Sequence, residues 1–218
     1  MSIHNDSMVE FLNTVTVALE NALNNSGVAA YLAELGYTAD TINFGKNLYN
    51  EAFNLHRKQQ IEYAEKFSAT DELNKARQKA SLTYMKFIKL ARIKFKDNRG
   101  VYTELGLSGK RKLNLSGWLN QAKMFYANLL TNEEAKTGLS TFGITNEKLL
   151  EGKALVDAVE TAQSIQRKES GEAQQATKDR DSKIDELESW YSDFVSVARI
   201  ALEEKPQYLE MFGIIEES

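Results

Sequence analysis

The sequence predicts an all-α protein made of two tandem copies of one helical unit, each about 107 residues long, whose long antiparallel helices form an elongated bundle. Three observations carry that expectation. The 218-residue chain has one proline, Pro206, so long helices can run uninterrupted. Large apolar residues recur at spacings of three and four, the period of a helix with one buried face. The chain also aligns with itself, without gaps, at an offset of 107, with about 22 of 97 pairs identical over residues 11 to 107. That is several times the level of unrelated sequences, and a repeat of this kind decides the fold before any local pattern does.

The matches recur along the whole unit. Leu12-Asn13 pairs with Leu119-Asn120, Gly45-Lys46 with Gly152-Lys153, and Ala69-Thr70 with Ala176-Thr177. Tyr84, Phe87 and Ala91-Arg92-Ile93 pair with Tyr191, Phe194 and Ala198-Arg199-Ile200. The expected division is 1–107 and 108–218, packed either as one bundle or as two. A shorter signature occurs four times, as Leu35-Gly36-Tyr37, Leu105-Gly106-Leu107, Phe142-Gly143-Ile144 and Phe212-Gly213-Ile214. Glycine takes the left-handed conformation just past a helix end, and the next apolar residue folds back on the last turn. Thr38 and Thr145 follow two of these stops and can cap the next helix.

Taken in order, the first copy predicts helices over 7–24, 26–35, 38–67, 71–97 and 99–105, with a turn near Ser68-Ala69-Thr70. The second predicts them over 115–131, 133–142, 145–174, 178–203 and 206–212. The helix over 71–97 carries the stripe Leu73, Ala80, Tyr84, Phe87, Ala91 and Phe95. Its partner stripe reads Arg180, Leu187, Tyr191, Phe194, Ala198 and Leu202. Large apolar residues thin out from Gln163 to Lys183, which suggests a solvated hairpin tip, because a helix polar all round lacks packing. Gly45 and Gly152 fall on apolar stripes, where each costs about 1 kcal/mol relative to alanine, so another helix is expected to approach closely.

Composition limits the chemistry. Without cysteine there are no disulfides, thiolate nucleophiles or thiolate metal sites. The N-terminus lacks the pattern of a signal peptide and no apolar run has membrane-spanning length, so the cytoplasm is the expected location. Residues 1–107 carry 13 basic and 12 acidic side chains; the remaining 14 and 19 belong to 108–218. A di-iron bundle needs two Glu-x-x-His motifs. Met1 and Phe53 stand three residues before His4 and His56. No metal, cofactor or catalytic set is expected, and neither a phosphate-binding loop nor a dinucleotide fingerprint occurs.

Three features remain. If the copies pack face to face, His56, Glu62 and Glu169 could form a polar site between them, since paired carboxylates serve acid–base chemistry or hold a hard cation. Arg92 and Arg199, in identical contexts, are each expected to bond a carboxylate or a helix end. Residues 86–112 hold nine basic side chains against Asp97 and Glu104. Of these, Lys94, Lys96, Arg99, Lys110, Arg111 and Lys112 form a candidate anion site. Most aligned positions in the second copy are not basic, so the fold does not require them. The leading expectation is a non-enzymatic helical scaffold or protein-interaction module with a protein partner or a homo-oligomeric state. The alternative is anion or nucleic-acid binding through 86–112.

Overall fold

A computed structural model describes residues 5–212, which form helices and short links with no strand. The elements are α1 (Asn5–Asn24), α2 (Ser26–Glu34), α3 (Ala39–Lys94), α4 (Arg99–Glu104), α5 (Leu115–Thr131), α6 (Glu133–Ser140), α7 (Asn146–Ala201) and a closing 3₁₀ helix, Pro206–Phe212. No described helix is long and apolar enough to cross a membrane.

The main departure from the sequence reading is at the expected turns. α3 and α7 are single helices of 56 residues each, with no hairpin at 68–70 or at its counterpart. The physical reason is local. Neither segment contains proline, and Ala69 and Ala176 are buried within their helices. The Thr70 hydroxyl donates to the Lys66 carbonyl at 2.9 Å, and the Thr177 hydroxyl to Ala173 at 2.9 Å. Bonded one turn back, a threonine sits inside a helix without interrupting it. The stretch 163–183 is therefore uninterrupted helix rather than a hairpin tip.

Helix ends follow the expected chemistry. Gly36, Gly106 and Gly143 take φ of 88°, 58° and 72°. In each case the residue after the glycine donates back to the last turn: Tyr37 to Leu32, Leu107 to Tyr102, and Ile144 to Leu139. These are 6→1 bonds of the Schellman type. The fourth signature depends on Gly213 and Ile214, which lie outside the described residues. Thr38 and Thr145 accept from Thr41 and Lys148 N–H at 3.5 and 3.4 Å. Asparagine caps α2, α4, α5 and α6, at Asn25, Asn98, Asn114 and Asn132.

The chain forms two compact units, neither coinciding with 1–107 or 108–218. One takes residues 1–62 and 172–218; the other takes 63–171. In the first, α1, α2 and the beginning of α3 bury Leu19, Leu32, Ile42 and Leu48 with Leu187, Phe194 and Phe212 from the end of the chain. Glu51 pairs with Lys183 and Gly45 lies against Trp190, so α3 and α7 run antiparallel there. In the second, the end of α3 packs with α4, α5, α6 and the start of α7 around Tyr84, Phe87, Trp118, Phe125 and Tyr126. Tyr84 meets Trp118 and Phe125 edge-on, with centroids 6.1 and 5.5 Å apart. That geometry suits the aromatic quadrupole.

The two stripe glycines fulfil their expected purpose. An alanine Cβ at Gly45 would stand 2.1 Å from the Trp190 ring, and one at Gly152 would stand 2.4 Å from the Tyr126 hydroxyl.

Candidate functional site

The polar trio expected from the sequence comprises His56, Glu62 and Glu169. His56 and Glu62 belong to the first unit and Glu169 to the second. His56 is buried on α3, with Nε2 3.3 Å from the Gln60 amide nitrogen. Its Nδ1 has no hydrogen-bond partner. Burial, and then the nearby Arg180 guanidinium, push the imidazole below its usual pKa. A neutral interior histidine results, without an acidic partner to orient it for proton transfer.

Glu62 is half-buried at the end of its unit. Within the second unit, carboxylate oxygens of Glu65 and Glu169 come within 4.8 Å. Lys168 stands 3.2 Å from Glu169 and supplies positive charge beside that pair. The two glutamates line a groove with Ser68, Ala69, Glu72, Ala162 and Ile165.

The basic segment resolves into two classes of side chain. Arg92 and Arg111, joined by Arg77 from outside the segment, hold the helix-free link between α4 and α5. Arg92 donates to the Leu107 carbonyl at 2.8 Å and to Gly109 at 2.7 Å. Arg111 donates to the Tyr84 hydroxyl at 3.1 Å and to the Ser108 carbonyl at 2.5 Å. Arg77 donates to the Leu113 carbonyl. Arg92 thus bonds link carbonyls rather than a carboxylate or a helix end, and Arg199 is exposed. Arg111 leaves the anion site, because its guanidinium serves the fold. Lys96 forms an exposed ion pair with Asp97 at 3.8 Å. Lys94, Arg99, Lys110 and Lys112 remain exposed, the last two on the pinned link.

A different surface emerges on α3. Gln78, Leu82, Met85, Lys86 and Lys89 line an open groove of about 520 Å³. Ile93 continues the same stripe at the spacing i+4 from Lys89. Leu82 is 71% exposed and Ile93 62%. In the sequence these apolar residues fall off the phase of the Tyr84–Phe87–Ala91 core stripe, the one signal that sets them apart. A second groove, about 530 Å³, lies between α5 and α7 in the second unit. Lys123 and Glu160 bridge it with two contacts of 2.8 Å.

Among the described residues, His56 is the only histidine, and no serine or threonine is bonded to it as a nucleophile would be to its base. No protein-family model matches the chain, and neither a curated protein nor a solved structure matches it.

Proposed function

We propose that this chain is a non-enzymatic helical interaction module that self-associates. The observation that supports it best is the unpartnered face of α3, where Leu82 and Ile93 are 71% and 62% exposed beside Lys86 and Lys89. Exposed apolar side chains interleaved with lysines offer a surface that a partner helix could cover.

The internal duplication belongs to this reading. Aligned positions play matching parts: Asn25 and Asn132 cap helices, Gly36 and Gly143 stop them, and Thr38 and Thr145 restart them. The two compact units also correspond under the same offset, with 1–62 answering to 108–169 and 172–218 to 65–111. Two copies of one unit would then bear different outer faces, with the second copy the more acidic. The cytoplasm is the compartment this reading assumes.

Sedimentation from micromolar to sub-millimolar concentration tests it. A concentration-dependent rise in mass is expected, and a monomer throughout that range would refute self-association. A second reading, anion binding, draws support from Lys110 and Lys112, which stand exposed on a link that Arg77, Arg92 and Arg111 hold in place. Salt-sensitive binding to nucleic acid, lost when both lysines become alanine, would favour it.

A further inference from the structure

Building on that self-association reading, we infer that the contact is head-to-tail: the apolar, basic face of α3 in one chain docks on the small, acidic face of α7 in a second copy. The argument compares the two faces at the offset of 107. On α3 the stripe is Gln78, Leu82, Met85, Lys86, Lys89 and Ile93. On α7 it is Asp185, Ser189, Ser192, Asp193, Ser196 and Ile200. The α3 stripe belongs to the second unit and the α7 stripe to the first.

Both stripes face outward, with Met85 alone half-buried. They differ in two complementary ways. Where α3 carries the bulky Leu82 and Met85, α7 carries Ser189 and Ser192, and small residues let a second helix approach closely. Where α3 carries Lys86, α7 carries Asp193. Lys86, Lys89, Asp185 and Asp193 have no ion-pair partner among the described residues. Each face therefore holds unneutralised charge of one sign, and the other face is its complement. A face of Leu, Met and Lys would bind a copy of itself poorly, because lysines would meet lysines. A contact between two different faces is heterologous, so each copy keeps one face free after docking and association proceeds to rings or open chains.

Charge exchange tests the pairing on the full chain. Lys86→Asp and Asp193→Lys should each weaken self-association at least ~10-fold, and raising salt should weaken the wild type as screening shortens. The double variant carrying both changes should recover it, as should an equimolar mixture of the two single variants. Both positions are exposed, so circular dichroism should match the wild type and exclude misfolding. Association that ignores all these changes would overturn the head-to-tail contact while leaving self-association standing. A wild-type chain that stays monomeric overturns both.

Discussion

Replacing Gly152 with alanine sets two effects of opposite sign against each other, and the structure decides between them. In an exposed helix interior the change should stabilise by about 1 kcal/mol, because glycine loses more backbone freedom on folding. At Gly152 the new Cβ would lie 2.4 Å from the Tyr126 hydroxyl and 2.8 Å from Cε1 and Cζ. Ordinary contact needs about 3.5 Å, so the ring must move by roughly 1 Å. It has little freedom to do so. Tyr126 is fully buried, with Phe125, Tyr84 and Phe87 at centroid distances of 5.3, 6.3 and 6.3 Å. Overpacking of this kind costs ~1–3 kcal/mol and can exceed that where neighbours are locked. Against the gain of about 1 kcal/mol this leaves a net loss of up to about 2 kcal/mol, or up to ~8 °C in Tm for a chain of this size.

Gly171 is the control. It lies inside α7 with nothing within 4 Å of a Cβ, so Gly171→Ala should stabilise by up to ~1 kcal/mol. Tyr126→Phe sharpens the test. The hydroxyl is buried without a hydrogen-bond partner, and burial, followed by Tyr84, pushes its pKa well above the usual tyrosine range. Deleting it should cost little, and in the Gly152→Ala background it should recover part of the loss by removing the closest contact. Urea unfolding followed by circular dichroism, with Trp118 fluorescence reporting the second unit, measures all four variants. If Gly152→Ala proves as stabilising as Gly171→Ala, the packing argument is wrong.

Other perturbations have equally definite outcomes. Because His56 is held below its unfolded pKa of about 6.5, the unfolded chain binds the extra proton first, so stability should fall as pH drops through 6.5 and level off below the folded value. His56→Gln should flatten that slope, which acid titration of urea midpoints would measure. Arg92→Met leaves the Leu107 and Gly109 carbonyls without their guanidinium donor, a change worth ~1–3 kcal/mol, and Arg92→Lys should not restore the two-pronged contact. Trypsin should then cut faster at Lys110 to Lys112, whereas an unchanged rate would mean the link is held by other contacts. The second unit is contiguous in sequence, whereas the first joins Met8 to Phe212, so refolding should protect amides of α4 to α6 before those of α1. Pulse-labelled hydrogen exchange reads that order.

Most element boundaries were legible because their determinants are local. A glycine stop needs only the left-handed residue and an apolar neighbour, and Gly36, Gly106 and Gly143 supply both. The four asparagine caps rest on an equally local signal, a side-chain oxygen placed just before the first helical turn. The expected anion site lost Arg111 for a different reason. Its role depends on Tyr84, 27 positions away, and sequence spacing carries no sign of that bond.

The false turns at 68–70 and 175–177 come from a limit of the pattern itself. A search for large apolar residues reads their loss as loss of packing. Yet Ala69, Ala80, Ala173 and Ala176 are buried, so the apolar stripe continues through the middle of α3 and α7 in alanine. Alanine is also the strongest helix former and gives up no side-chain entropy on burial. A stripe of alanines thus keeps a helix intact while giving little hydrophobic signal, and it lets the backbone opposite approach closely. The same polar surroundings that suggested a frayed tip are then the solvated side of a continuous helix. Proline in place of Ala69 would remove a backbone donor from the middle of α3 and break it, which the loss of helical circular dichroism would read.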